Sequence, residues 1–229
     1  MKNFNVNISD FRFERKFFIN RLNINEVNKC VNLHPRIFNE IYSQRFINNI
    51  YFDSHNYNNY SENIEGSSNR LKVRIRWYGE LFGKIKSPVL EIKIKDGLLG
   101  KKKSLKINSF DFNNGTDISN ILETIDNSKL NIDLKSLKPT LLNRYSRIYF
   151  QSIDKRFRIT IDNKQEFYSI KNKNNMFLKS VKDFKSVILE LKYQEEYDEE
   201  ANSIINQFPF RLSKSSKYVN GIQQLNQLI

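Results

Sequence analysis

The amino-acid sequence predicts an α+β protein in which antiparallel strands dominate, and three observations lead to this fold class. Several segments alternate between apolar and polar residues, which is the period of a strand with one buried face. Aromatic residues make up 13% of the chain, and such residues favour strands. Helical patterns are fewer. A length of 229 residues suits one large β-rich domain, so we predict a single domain over residues 1–229.

Alternation is the basis for the predicted strands, some of them clear and some weaker. The clear segments keep apolar residues on one face and polar residues on the other, with Ile188 as the one apolar exception on a polar face. The clear segments are 71–77, 90–95, 156–162 and 187–192, and the weaker ones are 11–19, 46–52 and 145–150.

Helical periodicity and capping residues predict the helices. Asp117 is placed to cap one of them, and acidic residues fill the first turn of another, as the helix dipole prefers. The predicted helices are 25–33, 117–125, 195–208 and 215–228.

The remaining segments are predicted loops and turns. Segments 56–69 and 171–179 have the composition of loops. Gly97 and Gly100 predict a turn before the basic run 101–103. We interpret this run as a solvated loop whose charge could attract a substrate.

The formal net charge of +13 bears on the partners of the protein rather than on its fold. Nucleic acid, acidic membrane surfaces and polyphosphorylated small molecules are the partners that such a charge suits. Bulk charge alone favours nucleic acid, and a solvated basic surface is the simpler alternative.

Cysteine and histidine give no support for a zinc or disulfide site. Cys30 is the only cysteine, which excludes an intrachain disulfide, and we predict a buried structural thiol. His34 is predicted in a loop and His55 in a turn, and they are not spaced as a metal pair.

The sequence has no apolar run long enough to span a bilayer and no signal-peptide pattern in its first ten residues. We therefore predict a cytoplasmic protein.

The polar faces of the clear strands carry mostly charged residues, which is unusual for a face that simply meets water. If these strands close into a barrel, the charged faces could point inward and the apolar faces could pack against helices. Such an interior needs a compensating ligand, because buried like charges repel and lose hydration. A triphosphate or polyphosphate would supply the missing charge. The charged residues are Arg74, Arg76, Glu91, Lys93, Lys95, Arg156, Arg158, Asp162, Glu190 and Lys192.

Glutamates share these faces with basic residues in the pattern E-x-K, at Glu91 and Glu190. Carboxylates weaken a plain anion site, but they suit a divalent cation that bridges protein and phosphate oxygens. Cross-strand ion pairing on a solvated sheet is the alternative. Two such strands beside two Arg-rich strands favour the functional interpretation.

Eight short motifs along the chain resemble those of the VTC domain, the polyphosphate polymerase domain of vacuolar transporter chaperone proteins. They follow the family order from Glu14 to Tyr218, which is nearly the whole chain. The first is E-R-K rather than the E-x-E-x-K of the related CYTH branch, which argues against a thiamine triphosphatase or an adenylate cyclase. The motifs are E-R-K-F (14–17), Y-F-D (51–53), K-V-R-I-R-W-Y (72–78), E-I-K (91–93), Y-S-R (145–147), R-I-T-I-D (158–162), E-L-K-Y (190–193) and K-S-S-K-Y (214–218).

The resemblance implies a triphosphate tunnel metalloenzyme, that is, an antiparallel β-barrel tunnel with helices packed outside. It also implies transfer of the ATP γ-phosphate to a growing polyphosphate chain, with Mn²⁺ or Mg²⁺ as cofactor. Phosphate, pyrophosphate or polyphosphate would be the acceptor. A membrane-protein partner on another chain is left open, and no nucleic acid is expected.

Matching positions give the candidate site residues that the resemblance implies. Glu190 is the leading metal ligand, with Glu14 and Glu91 ranked behind it. Trp77 and Tyr78 are interpreted as packing residues rather than as an adenine platform. The catalytic candidates are Arg74, Arg76, Lys93, Arg158 and Glu190. The phosphate-binding candidates are Lys16, Arg74, Arg76, Lys93, Arg147, Arg158, Lys192, Lys214 and Lys217.

Other functions remain open at this point. A triphosphatase or polyphosphatase would differ only in using water as the acceptor. A non-catalytic module that binds nucleic acid suits the charge and the aromatic content, although the glutamates on the charged strands argue against it. A polyphosphate sensor that binds without turnover is the last alternative.

Overall fold

A computed structural model of the chain describes residues 7–9, 13–96, 99–126, 130 and 132–225, and its fold is α+β. Two short 3₁₀ turns lie at Leu134–Ser136 and Glu195–Tyr197. In chain order the other elements are β1 (Asn7–Ser9), β2 (Phe13–Ile19), α1 (Ile24–Asn32), β3 (Phe38–Asp53), α2 (Asn58–Glu65), β4 (Arg70–Tyr78), β5 (Gly83–Ile85), β6 (Val89–Asp96), β7 (Leu99–Lys106), β8 (Phe110–Phe112), α3 (Ile118–Glu123), β9 (Lys138–Ser152), β10 (Arg158–Tyr168), β11 (Ser180–Asp183), β12 (Val187–Tyr193), α4 (Asp198–Asn206) and α5 (Lys217–Gln224).

One large antiparallel sheet has the strand order β1-β7-β6-β4-β3-β9-β10-β12-β2, with β11 paired to the C-terminal part of β10. The short strands β5 and β8 form a separate ribbon. Within the described residues the edge strands β1 and β2 do not pair with each other. A closed barrel needs hydrogen bonds between its first and last strands. The expectation of a closed β-barrel is therefore wrong, and the sheet is open.

The open sheet nevertheless curls until distant strands face each other. Lys93 on β6 and Glu14 on the edge strand β2 are far apart in strand order. The Nζ atom of Lys93 lies 2.8 Å from both carboxylate oxygens of Glu14. The right-handed twist of a long sheet produces such coiling. The concave face of the sheet is therefore an interior lined from several strands.

The convex face of the sheet is apolar and is covered by helices. Helices α1 and α4 pack on β2, β9, β10 and β12, where Val27, Val31 and Ile204 are buried. Helix α3 and the β5–β8 ribbon cover β3, β4, β6 and β7, where Trp77 is buried. Apolar residues outside and charged residues inside are the reverse of an ordinary small barrel. This arrangement agrees with the sequence prediction.

Helices α2 and α5 pack against a third apolar cluster, which includes Tyr51 and Tyr218. The buried carboxylate of Asp53 joins the two helices. Its Oδ2 atom accepts hydrogen bonds from the Tyr218 hydroxyl at 2.6 Å and from the Tyr60 backbone N–H at 2.9 Å. Its Oδ1 atom accepts from the Asn59 backbone N–H at 2.9 Å. Asp53 thus stabilises the start of α2 from outside the helix.

The clear strand predictions are confirmed at β4, β6 and β12, and the weaker patterns at 46–52 and 145–150 lie within the longer β3 and β9. The predicted strand 156–162 begins two residues later, at Arg158. Arg156 lies outside it and forms an ion pair with Glu200 of α4. Residues 11 and 12 of the predicted first strand lie outside the described residues.

All four helix predictions are confirmed with changed bounds. Helix α1 begins and ends one residue earlier than predicted, and Asp117 caps α3 by accepting a hydrogen bond from the Ser119 N–H. The segment 195–208 divides into a 3₁₀ turn and α4. The fourth predicted helix corresponds to α5, which is shorter, and residues 226–228 lie outside the described residues.

Two loop predictions are wrong. Segment 56–69 contains α2, because Asp53 caps that helix through tertiary contacts rather than through a local capping motif. The basic run 101–103 lies in β7, where it pairs with β6. Three consecutive lysines hide the alternation of that strand. The loop prediction for 171–179 is confirmed.

The cysteine and histidine predictions are largely confirmed. Cys30 is half-buried rather than buried, and burial raises the pKa of its thiol, so its reactive thiolate form is disfavoured. His34 lies in a loop and His55 in a turn, as expected. None of the helices that the structure describes has the length and apolar character to cross a membrane.

Candidate functional site

Cross-strand register places the charged side chains of the sheet on its concave face. Arg74 lies directly opposite Glu91 on the neighbouring strand, and Lys16 lies directly opposite Glu190. Directly opposed residues of antiparallel strands share a face of the sheet. We call this set, with one residue from α5, the charged interior. Its basic members are Lys16, Lys72, Arg74, Arg76, Lys93, Lys102, Arg147, Arg158, Lys192 and Lys217, and its acidic members are Glu14, Glu91, Asp162 and Glu190.

Glu91 is the centre of one ion-pair group. Its Oε2 atom lies 2.6 Å from Arg74 Nη2 and 3.4 Å from Arg76 Nη1, and its Oε1 atom lies 3.1 Å from Lys102 Nζ. Burial alone would raise the pKa of Glu91, but Arg76 and Arg74 hold it well below its usual range. Both carboxylate oxygens are engaged by basic groups. Glu91 is thus placed to orient the two arginines of β4.

Glu14 and Glu190 form a second group, in which two lysines bridge the carboxylates. Lys16 Nζ lies 3.2 Å from Glu190 Oε1 and 3.9 Å from Glu14 Oε2. Lys192 Nζ lies 3.2 Å from Glu190 Oε2 and 3.6 Å from Glu14 Oε1. Burial would raise the pKa of Glu190, but Lys192 and Lys16 hold it well below its usual range. The positive charges of Lys16 and Lys192 therefore neutralise both carboxylates.

Asp162 organises a third group, together with Arg147 and Lys217. The carboxylate is buried and accepts hydrogen bonds from Arg147 Nη2 at 2.6 Å and from Lys217 Nζ at 2.5 Å. Arg147 Nη2 also lies 3.9 Å from Glu190 Oε2, which links this group to the second one. Asp162 lies inside β10 rather than in a turn at the end of that strand.

Uncharged polar residues that sequence reasoning missed support the two arginines of β4. Arg76 Nε donates to Asn49 Oδ1 at 2.9 Å, and Arg76 Nη2 donates to the Tyr145 hydroxyl at 3.1 Å. Arg74 Nη1 donates to the Tyr51 hydroxyl at 3.2 Å. Tyr51 and Tyr145 belong to the recognised motifs, but nothing in the sequence indicates that they contact arginines.

Lys72 is a further residue that the candidate list missed. Its Nζ atom donates to Ser216 Oγ at 3.0 Å, just before α5, and forms no ion pair with any described carboxylate. Burial, together with the charges of Lys16 and Lys93, lowers the pKa of Lys72 well below its usual range. Lys72 alternates with Arg74 and Arg76 along β4, and this pattern could have placed it on the same charged face. The concentration of positive charge around Lys72 favours an anionic ligand.

Two candidates lie outside the ion-pair network. Arg158 is exposed at the start of β10, beside Lys192 in the cross-strand register. Lys214 is exposed between α4 and α5. Neither forms an ion pair with a carboxylate of the described residues. Both are free to contact a ligand that enters or leaves the charged interior.

The carboxylate oxygens of the charged interior decide how it could bind a metal ion. Among the described residues no group of three or more His, Cys, Asp or Glu side chains is arranged to hold a metal ion. Mg²⁺ commonly needs only one or two carboxylates, because substrate phosphates and water complete its oxygen shell. Glu14 and Glu190 offer two such carboxylates, and Lys16 and Lys192 lie between them.

Comparison with solved structures finds proteins of similar fold. Solved structures with the same fold include the PH1819 protein from Pyrococcus horikoshii OT3, with 12% identity, TM-score 0.52, and coverage of 95% of this chain and 99% of that chain. Two provisionally named adenylate cyclases are also similar. The one from Vibrio parahaemolyticus has 10% identity, TM-score 0.54, and coverage of 95% and 98%. The one from Bacillus halodurans has 12% identity, TM-score 0.55, and coverage of 94% and 97%.

Family membership follows from the sequence itself. Among curated proteins, no sequence matches this chain. The family model for the VTC domain matches residues 11–226, nearly the whole chain, and confirms the resemblance of the eight motifs. On this evidence the chain belongs to the VTC domain family.

Proposed function

We propose that the protein is a polyphosphate polymerase that transfers the γ-phosphate of ATP to a growing inorganic polyphosphate chain within the charged interior. The observation that carries this proposal is the surplus of basic groups in the charged interior, where ten basic side chains stand against four carboxylates. A chain of phosphates supplies negative charge along the length of such a face. Membership of the VTC family supports the choice of polyphosphate over other polyanions.

The basic residues would act by positioning and by neutralising charge, which are the main requirements of phosphoryl transfer. Arg74 and Arg76 present planar guanidinium groups that can bind two phosphate oxygens at once. Glu91 holds both in place, and Asp162 does the same for Arg147. Preorganised groups of this kind lower the cost of reorganisation during reaction.

The proposed reaction needs no general base from the protein. A terminal oxygen of the acceptor phosphate attacks the γ-phosphorus of ATP, the bond from that phosphorus to the β–γ bridging oxygen breaks, and ADP leaves. The acceptor oxygen is already ionised, so no proton needs to be removed. Lys93, Lys192 and Lys217 would hold acceptor or product phosphates.

A divalent cation, Mn²⁺ or Mg²⁺, would be held by Glu190 and Glu14. Its chemistry would be to neutralise charge on phosphate oxygens. Lys16 and Lys192 now neutralise these two carboxylates, and they can turn towards phosphate oxygens when a metal is bound. Glu91 is not part of the proposed metal site.

The proposal is tested by incubating the purified protein with ATP, Mn²⁺ and a pyrophosphate primer and resolving the products on a gel stained for polyphosphate. Wild type should form a ladder. Glu190→Gln, which keeps size but removes charge, should form none, whereas the control Glu195→Gln at an exposed position should match wild type. Release of phosphate without a ladder would indicate a hydrolase instead, and an unchanged ladder in Glu190→Gln would refute the role of that residue.

A further inference from the structure

Three tyrosines surround Arg45 beside the charged interior. The Cζ atom of Arg45 lies 5.1 Å from the ring centre of Tyr42, 4.6 Å from that of Tyr78 and 4.8 Å from that of Tyr149. These distances are those of cation–π contacts. We call the four residues the tyrosine collar. The guanidinium group holds three flat rings in one place.

A β-bulge in β3 makes the collar possible. In a regular strand, residues three positions apart point to opposite faces. Here Tyr42 pairs with Tyr149 and Arg45 pairs with Arg147, so three steps along β3 match two steps along β9. The extra residue puts Tyr42 and Arg45 on the same concave face. Bulges that redirect a side chain in this way are common beside active sites.

The collar has the features of an incomplete binding site. Tyr42 and Tyr78 are 54% and 49% exposed, which leaves two large aromatic residues open to solvent. Arg45 forms no ion pair with a carboxylate among the described residues, and its buried Nε atom has no hydrogen-bond partner there. A flat, partly polar ligand would cover the rings and would offer an acceptor to the half-buried guanidinium group of Arg45.

The collar also adjoins the proposed phosphate site. The Tyr149 ring centre lies 5.9 Å from the Cζ atom of Arg147, and Arg147 is the cross-strand partner of Arg45. Arg147 in turn contacts Asp162 and Glu190. A ligand whose phosphates reach Arg147 would therefore place its other end at the tyrosines.

We propose that the tyrosine collar is the nucleobase subsite for the nucleotide donor, with the base stacked on Tyr42 and Tyr78 and Arg45 directed at the base or at the nucleoside oxygens. This inference rests on the proposed function. It corrects the expectation that Tyr78 is a packing residue, while Trp77, which is buried, keeps that role. Every nucleobase offers a flat face, so the subsite would discriminate little between nucleotides that differ in the base.

The test compares two ligands that differ in the nucleoside, a non-hydrolysable ATP analogue and tripolyphosphate, with Mg²⁺ present. Their affinities are measured by calorimetry on wild type, on Tyr42→Ala and Tyr78→Ala, and on the matching Tyr→Phe variants. The Ala variants should bind the ATP analogue roughly tenfold more weakly, with unchanged affinity for tripolyphosphate. The Phe variants should keep wild-type affinity, because stacking needs the ring and not the hydroxyl. Phe184→Ala removes an exposed ring elsewhere and is the control.

Each outcome of this experiment separates the two proposals. If the Ala variants lose equal affinity for both ligands, or lose no affinity for the ATP analogue, the nucleobase subsite is overturned and the polymerase proposal stands. Failure of wild type to bind either ligand would overturn both proposals. Selective loss for the ATP analogue in the Ala variants, with recovery in the Phe variants, supports the subsite.

Discussion

At the scale of single residues, four carboxylates hold the surrounding basic groups in position. Glu91 fixes the arginines of β4, and Asp162 fixes Arg147 and Lys217. Removing one partner of a buried ion pair leaves the other charge uncompensated, which is costly. These carboxylates therefore allow a highly basic face to exist before any anion is bound.

Alternation in the sequence predicted which residues share a polar face, but not which of them meet. Arg74 and Glu91 are neighbours in the sheet and could be paired by strand order alone. Glu14 and Lys93 meet only because the sheet curls. Lys72 was missed for the same reason, since the charges that surround it come from other strands.

Lys72 should take up a proton when a polyanion binds. Its pKa lies well below the usual range because burial, and then Lys16 and Lys93, disfavour the charged form. Bound phosphate favours that form, so tripolyphosphate should raise the pKa towards the ordinary lysine value of about 10.4. Calorimetry in buffers of different ionisation enthalpy should detect more proton uptake by wild type than by Lys72→Met. Equal uptake in the two proteins would contradict this prediction.

The same depressed pKa makes the stability of the ligand-free protein depend on pH. Between the lowered pKa of Lys72 and its ordinary value, the unfolded chain binds more protons than the folded protein. The free energy of unfolding should therefore rise with pH across that interval. Lys72→Met should show a smaller rise, whereas Lys84→Met, at an exposed position in β5, should behave as wild type does.

At the scale of elements, α5 depends on a close approach to the sheet. A Cβ atom at Gly221 would lie 2.5 Å from Leu141 Cδ2 and 2.6 Å from Phe167 Cδ1. Helix α5 also brings Lys217 to Asp162, and Ser216, its N-cap, to Lys72. Periodicity predicted this helix, but its position against β9 and β10 follows from the glycine and from its partners in the fold.

Gly221→Ala should destabilise the protein by up to about 2 kcal/mol, because overpacking costs about 1–3 kcal/mol and the gain in helix propensity offsets only about 1 kcal/mol of it. Displacement of α5 should also weaken tripolyphosphate binding through Lys217. Chemical denaturation and calorimetry measure the two effects. Gly115→Ala is the control, since a Cβ atom there meets only Asn113 Oδ1 at 3.5 Å. A stability equal to that of wild type would show that α5 has room to shift.

The elements that were predicted wrongly have tertiary causes. Helix α2 is capped by Asp53, several residues before its start, and its Tyr57 N-cap makes no side-chain hydrogen bond. Strand β7 contains consecutive lysines, and its pairing with β6 determines its conformation. Local sequence patterns contain neither kind of information.

At the scale of the whole molecule, the protein has an apolar outside covered by helices and a charged inside. This inversion concentrates positive charge where water is scarce, so the folded state without ligand contains strong repulsion. A net charge of +13 adds to this effect. A bound polyanion removes the repulsion and should stabilise the entire fold.

Tripolyphosphate should raise the unfolding temperature far more than sodium chloride at the same ionic strength. At a concentration 100 times Kd, a ligand that binds only the folded state adds about 2.7 kcal/mol to the free energy of unfolding. Thermal denaturation followed by circular dichroism measures this shift. Equal effects of the two salts would indicate simple screening of surface charge rather than binding in the charged interior.

The sequence by itself determined the α+β class, the charged faces and the family, because alternation and motif order are properties of the chain read locally. Only the tertiary structure decided that the sheet curls without closing, that Glu14 meets Lys93, and that a bulge gathers the tyrosine collar around Arg45. The physical reason is that the alternation of side chains along a strand assigns each residue to one face of its own strand only. The distance between faces depends on the twist and register of strands far apart in the chain.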